Sequence, residues 1–530
     1  MNIFVRVRLR AGVRAGVRAR AGAAAVVAVL AAGLLAGCDS GGKSPDTSAA
    51  PTSTASAAPR PDSDAKARAL PEALTGQRPK WSSCTSPGWQ CAEVKVPLDY
   101  TKPAGDTISL ALVRKQARDK DKRIGSLLFD FGGPGGSGVE ILPRAAKTYS
   151  SLNSRYDLVG FDPRGVAKSS GVVCRDDKEQ ADAERRIDAT PDTAAEEAAF
   201  LKDGADVGAG CARRSGKVLP YVSTSNAARD MNLLRQVLGD TKLNYFGISY
   251  GTELGGTYAH LFPRQVGRTV LDAVVDPTAD AVGHARNQAT GFQRALDDYL
   301  KSTGQDPKQG TQRIAELLSR LDERPLPTSS GRELSQTLAL TGIVMPLYSK
   351  ENWPYLTQAL AEVRERGTGD LLLAMADSYN DRSKDGHYGT QSHAQRAISC
   401  DDSRVRPTAA QAKALLPEFR RISPVFGEFL AWDTAGWCAN WPVPGERDVP
   451  EASAPGAGPV LVVGTTGDPA TPYEGARKMA RKLGPGVGVL LTNKGEGHGA
   501  YTQGNTCVRR TVDAYLLEGK VPADGTVCSS

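Results

Sequence analysis

The chain has 530 residues, 40% apolar, 24% charged and 6% aromatic, with 56 glycines, a globular mixture that excludes fibrous and wholly disordered classes. Its formal charge of +7 invites a nucleic-acid reading until the basic residues are placed. Six of the 66, Arg6, Arg8, Arg10, Arg14, Arg18 and Arg20, precede Cys38, leaving 60 basic against 59 acidic residues. No basic stripe interleaved with aromatics follows, and the run from Arg477 to Lys482 reads as a solvated helix face, so no nucleic-acid partner is expected.

In chain order the first element is an export leader: an arginine-rich start, an uncharged alanine-rich stretch over 21–37, then Leu35-Ala36-Gly37-Cys38. The stretch is shorter than the roughly 20 strongly apolar residues of a spanning helix. The ending resembles a bacterial lipoprotein signal, which implies lipidation of Cys38 and a lipid anchor on the outer face of the cell membrane. An ordinary secretory signal with a chance cysteine is the second reading. Residues 38–76 form a tether whose Ser, Ala, Thr, Pro and Gly content cannot bury a core. Eight further cysteines, an even number in an exported chain, suggest disulfides. They arrive as four local couples, so the expected pairs are Cys84 with Cys91, Cys174 with Cys211, Cys400 with Cys438 and Cys507 with Cys528.

Short apolar or β-branched runs at 92–98, 108–114, 126–131, 156–161, 243–247, 268–275, 459–464 and 487–491 predict eight strands. Helical patterns such as 226–238 and 473–483 lie between them, which favours a mostly parallel α/β sheet covered on both faces. The alternation stops over 277–442, where helical segments at 291–302, 312–321 and 353–366 predict a mainly helical cap. The expected layout is a leader at 1–37, a tether at 38–76, a core at 77–276, a cap at 277–442 and the rest of the core at 443–530.

The fifth strand runs into Gly247-Ile248-Ser249-Tyr250-Gly251, a G-x-S-x-G sequence followed by a helical stretch. In that context the glycines permit a sharp turn that projects Ser249 at the top of the sheet as a nucleophile. A serine needs a base. Of five histidines, His260 lies about 16 Å along the same helix by rise, and His284, His387 and His393 read as surface or packing residues of the cap. His498, in Gly495-Glu496-Gly497-His498-Gly499 after the last strand, is the chosen base. Asp468, in the loop after the seventh strand, is the chosen acid by the order Ser, Asp, His. Asp272 and Asp276 stand as the other acids, and Glu496 is too near His498 in sequence to align it. The loop Phe131-Gly132-Gly133-Pro134-Gly135-Gly136-Ser137-Gly138 can bring main-chain donors to an oxyanion, and the amides of Gly133 and Tyr250 are the expected pair. It lacks the spacing of a dinucleotide loop and a P-loop lysine.

These motifs, with Asp162-Pro163-Arg164-Gly165 and Gly467-Asp468-Pro469-Ala470-Thr471-Pro472, resemble the secreted tripeptidyl aminopeptidases over residues 81–528. Phe131 and Ala167 stand where the related prolyl iminopeptidases have His and Gly. The resemblance implies an α/β-hydrolase fold and a serine exopeptidase that removes short peptides from free N-termini, with Ser249, Asp468 and His498 at the triad positions and no metal or cofactor. An esterase or lipase on the same scaffold is the alternative, and a noncatalytic cell-surface binding lipoprotein a third. An aminopeptidase must also bind a positive α-amine, for which carboxylates of the cap are the physical means. Asp297, Asp298, Glu351 and Glu362 lie on helical patterns there, where a solvated face is the simpler role.

Overall fold

Successive residues of a strand point to opposite faces, so a strand apolar at every position must be covered on both sides. The segments Gly125–Asp130 and Tyr156–Phe161 are buried along their whole length in the computed structural model, which describes residues 69–84 and 86–529. The leader, Cys38 and the tether through residue 68 lie outside the described residues.

Numbered along the chain, the strands are β1 (Ser82–Ser83), β2 (Gln90–Pro97), β3 (Thr107–Lys115), β4 (Gly125–Asp130), β5 (Tyr156–Phe161), β6 (Leu243–Ile248), β7 (Val266–Asp272), β8 (Leu326–Pro327), β9 (Glu333–Leu334), β10 (Val460–Gly467), β11 (Gly488–Glu496) and β12 (Thr526–Ser529). Ten form one sheet in the order β1-β2-β3-β5-β4-β6-β7-β10-β11-β12, and β8 pairs only with β9. Pairing is antiparallel from β1 to β5 and parallel from β5 to β12. The sheet therefore has ten strands rather than the eight read from sequence. The two additions are its edges, two and four residues long, too short to show a period. A disulfide fastens each edge: Cys84–Cys91 beside β1 and Cys507–Cys528 at β12. Cys174–Cys211 and Cys400–Cys438 complete the four pairs in sequence order.

Alternation divides the core. Leu112, Leu128, Val159, Tyr245, Leu271 and Val462 pack under the helices Thr224–Val237, Tyr250–Leu261 and Tyr473–Leu483. Their neighbours Val113, Leu127, Leu158, Phe246, Val270 and Val463 face the helices Gly138–Ala145 and Thr506–Glu518. Because β4 to β11 run parallel, their C-terminal ends bring the loops at Gly132, Ser249, Asp468 and His498 to one rim of the sheet, where ligands of open α/β sheets bind.

Between β7 and β10 the chain is helical and gathers a core of its own, with Phe292, Leu296, Leu300, Ile343, Leu356, Leu372, Phe419 and Phe426 buried together. Its first helices span Ala281–Ser302 and Pro307–Glu323, longer than their apolar patterns. Asp280 and Asp306 start them by accepting the Gly283 and Gln309 amides at 2.7 and 2.9 Å. The helix Trp353–Arg366 coincides with its pattern. Two helices between β5 and Thr224, Asp177–Arg186 and Ala194–Ser215, were not anticipated, although each opens on a capping box, Asp176 with Glu179 and Thr193 with Glu196.

Beneath the sheet rim Arg164 is fully buried. Its Nε and Nη2 reach the two oxygens of Asp230 at 2.7 and 2.6 Å, and its remaining donors meet the carbonyls of Leu98, Tyr221 and Pro97 at 3.0 Å. Tyr100 Oη also donates to Asp230, at 2.7 Å. With every donor satisfied the pair is tolerated, but a single partner would be a buried uncompensated charge. Asp230→Ala is therefore expected to lower the unfolding free energy by about 3–5 kcal/mol in urea titrations, whereas truncation of an exposed pair such as Lys202 with Asp206 should change it by no more than about 1 kcal/mol.

Candidate active site

Ser249 follows β6 and precedes the helix Tyr250–Leu261 with φ 59° and ψ −125°, a conformation uncommon for a residue with a side chain. The turn is tight on both sides. A Cβ on Gly247 would meet the Gly251 carbonyl at 2.3 Å, and one on Gly251 would meet the Asp130 carbonyl at 2.7 Å. The Ser249 amide donates to the Asp272 carbonyl at 3.1 Å, and the Ser249 carbonyl accepts from Thr252 N and Oγ1 at 2.8 and 2.6 Å.

Asp468 follows β10 and is buried. Its Oδ1 accepts the amides of Ala470 and Thr471 at 3.0 and 2.9 Å, and its Oδ2 accepts Thr471 Oγ1 at 3.0 Å. Both oxygens face His498 Nδ1, at 2.9 and 3.0 Å. A histidine that gives Nδ1–H to a carboxylate presents Nε2 as an acceptor. His498 Nε2 is buried and has no hydrogen-bond partner among the described residues. The imidazole is held from outside the core as well: its own amide donates to the Tyr348 carbonyl at 2.8 Å, and the Tyr348 ring meets it edge-on with centroids 5.4 Å apart.

The structure thus joins Asp468 to His498 directly and reaches Ser249 through Asp272. Asp272, considered from sequence as an orienting acid, makes no such bond to His498. Its carboxylate accepts the amides of Ala500 and Tyr501, both at 2.9 Å, while its carbonyl accepts from Ser249. Burial, with Asp468 nearby, pushes its carboxyl up to about 6 against the hydrogen bonds from the two amides. Asp276 is occupied by Lys478 at 2.6 Å. Glu496 packs against Gly467, with Oε2 buried and unpartnered among the described residues.

Gly133 and Tyr250 lie with Ser249 on the wall of a cavity of about 500 Å³. The preceding Gly132 is wedged against the turn, since a Cβ there would meet the Ile248 carbonyl at 2.5 Å and the Tyr250 amide nitrogen at 3.0 Å. Its own amide donates to Asp130 Oδ1 at 2.8 Å, and the Gly133 carbonyl accepts Gln395 Nε2 at 3.2 Å. Burial raises the Asp130 carboxyl to about 7, against the opposing effect of that amide. Tyr250 Oη shares a 2.6 Å hydrogen bond with Thr224 Oγ1, and Asp402 accepts the Thr224 amide at 2.8 Å.

The other histidines separate from this centre with one exception. His260 meets the Ser453 carbonyl, His387 pairs with Asp177 at 3.0 Å, and His393 is buried with its titration pushed down to about 4 by desolvation. His284, expected to be a surface or packing residue, lines the cavity, where desolvation lowers its titration against the opposing charges of Glu253 and Asp276. Asp297, Asp298, Glu351 and Glu362 do not line it. Asp297 accepts from Gln293, Asp298 pairs with Lys301, and Glu362 accepts the Leu371 amide. Gln395, Tyr348 and Asp402, which with Thr471 hold the centre together, carry no motif. Only Thr471, inside the quoted Gly467 to Pro472 sequence, was within reach of sequence reading.

Residues 423–528 match the family model described as TAP-like protein. The chain is 37% identical over 492 residues to serine protease Hip1 of Mycobacterium tuberculosis, covering 87% of this chain and 92% of that protein. It is 35% identical over 457 residues to carboxylesterase B of the same organism, covering 83% and 86%. It is 31% identical over 475 residues to tripeptidyl aminopeptidase of Streptomyces lividans, covering 85% and 86%.

Two measurements test the supporting aspartates. Asp272→Ala releases the Ala500 and Tyr501 amides and should lower kcat about a hundredfold with little change in KM, since small misplacements of a catalytic group act on the chemical step. Asp130→Asn keeps an acceptor for Gly132 but cannot ionise. The Asp130 carboxyl, ordinarily near 3.8, titrates at about 7 in the folded protein, so the native state keeps a proton that the unfolded chain releases. Its contribution to stability therefore falls as pH rises from about 4 to about 7, and urea unfolding should show the variant gaining on wild type across that window. A difference independent of pH would remove this account of Asp130.

Proposed function

The chain belongs to the tripeptidyl aminopeptidase-like family of α/β-hydrolases, a serine hydrolase family, and within it we propose an exopeptidase that releases short peptides, tripeptides foremost, from free N-termini. The observation that carries this reading is the placement of Ser249 on the wall of a 500 Å³ cavity, lined by cap residues such as Phe292, Tyr348 and Trp437 and by several carboxylates. Such a volume suits a short acyl segment, and its acidic lining suits a cationic end.

In the proposed reaction His498 Nε2 accepts the Ser249 proton as the serine oxygen attacks the scissile carbonyl, and the amides of Gly133 and Tyr250 hold the oxyanion. The imidazolium returns its proton to the leaving amine, giving an acyl-enzyme that water opens by the same steps in reverse. Asp468, bonded to Nδ1, fixes the tautomer and stabilises the imidazolium. Export and anchoring through Cys38 belong to the same proposal; the leader sequence supports them, and the four disulfides fit an oxidising compartment. A second reading, ester hydrolysis, is favoured by the similarity to carboxylesterase B.

Matched chromogenic mono-, di- and tripeptide amides with free and acetylated N-termini, alongside simple esters, separate the two. The expected result is preference for the free tripeptide, with Ser249→Ala lowering kcat by about 10⁵ to 10⁶ and leaving the circular dichroism spectrum unchanged. Turnover of esters alone, or indifference to acetylation, excludes the aminopeptidase; activity retained without Ser249 excludes the proposed nucleophile.

A further inference from the structure

Seven carboxylates line the cavity, and most are already engaged. Glu253 and Asp402 share Arg447, at 3.2 and 3.6 Å, Asp276 holds Lys478, and Asp448 holds Arg404 at 3.3 Å. Asp280 caps the helix that begins at Ala281. Asp381 is exposed, and a carboxylate in water needs no partner.

Asp433 differs from all of these. It projects from the cap helix Gly427–Gly436 and lines the cavity, and while its main-chain carbonyl accepts the Trp437 amide at 2.9 Å, its carboxylate accepts no hydrogen bond among the described residues. Burial pushes its carboxyl up to about 6, and Arg396 offsets this only in part. That guanidinium is stacked over Trp437, 4.4 Å from the ring centroid. Asp433 is half-buried, and a carboxylate on a cavity wall with no donor of its own has room for one that arrives with the ligand. An ammonium group brings three N–H donors and the matching charge.

The approach to Asp433 is aromatic and starts at the proposed base. Tyr348 stands edge-on to His498 at 5.4 Å and packs against Tyr379, whose ring centre is 6.2 Å from its own. Tyr379 in turn lies within electrostatic reach of Asp433. An extended peptide advances about 3.4 Å per residue, and the ring steps from His498 to Tyr348 and from Tyr348 to Tyr379 are 5.4 and 6.2 Å, so an anchor beyond Tyr379 along this track suits an acyl group of more than one residue.

We propose that Asp433 is the anchor for the substrate α-ammonium group and that the Tyr348–Tyr379 pair floors the intervening subsites, so that this one side chain sets both the need for a free N-terminus and the acyl length. The assignment rests on the exopeptidase reading above. The test uses the full chain and the ratio of kcat/KM for a free tripeptide anilide to that for its acetylated form, a quantity insensitive to loss of active protein. Asp433→Asn should reduce the ratio tenfold or more, as expected for loss of one charge-assisted hydrogen bond. Asp433→Glu should retain most of it, and Asp433→Lys should invert it towards acylated substrates. A wild-type ratio in Asp433→Asn, or a loss found instead in Asp381→Asn, overturns the assignment while leaving the exopeptidase standing. A wild-type enzyme indifferent to acetylation overturns both.

Discussion

Asp272 is the residue on which the geometry of the site turns. Its carbonyl holds the amide of Ser249 in a strained turn, and its carboxylate holds two consecutive amides, Ala500 and Tyr501, just beyond His498. One residue at the end of β7 thus sets the register between the proposed nucleophile, at the end of β6, and the proposed base, on the loop after β11. Neither loop could supply this restraint itself. Ser249 needs an outside partner to persist at positive φ, and the His498 loop, flanked by Gly497 and Gly499, has little conformational preference of its own.

The cap is the second restraint, and it acts at three points. The Tyr348 carbonyl accepts the His498 amide, Gln395 Nε2 donates to the Gly133 carbonyl, and Asp402 accepts the Thr224 amide beneath Tyr250. These contacts reach the proposed base, the proposed oxyanion loop and the residue after the proposed nucleophile. The helices between β7 and β10 therefore do more than cover the cavity. A movement of the cap that shaped the cavity to a ligand would also move hydrogen-bond partners of the reacting groups, so that substrate fit and catalytic alignment share one set of bonds.

What was legible in the sequence follows from range. The eight inner strands showed themselves because their apolar runs are long enough to have a period, whereas β1 and β12 are held by disulfides and neighbours and have none. Ser249 and Gly133 stood out because a tight turn and a close main-chain approach demand glycine at fixed spacings. Asp272 was visible only as one acid among several, since its carbonyl and carboxylate reach partners 23 residues back and 228 residues ahead. Tyr348, Gln395 and Asp402 act across still less predictable distances, and nothing local marks them. The capping boxes at Asp176 and Thr193 were local and readable, and the helices they open could have been found from them.

The buried aspartates of the rim share a device. Asp130 accepts the Gly132 amide, Asp162 those of Val139 and Lys168, Asp272 those of Ala500 and Tyr501, Asp402 that of Thr224, and Asp468 those of Ala470 and Thr471. Burial alone disfavours each charge, and the amides they accept both satisfy them and fix the loops. What sets Asp468 apart is geometric: after two amides and the Thr471 hydroxyl, both its oxygens still face an imidazole. A carboxylate with that remaining capacity can stabilise a histidine that becomes charged, whereas Asp272, whose two oxygens each hold an amide, is suited to hold the loop in place.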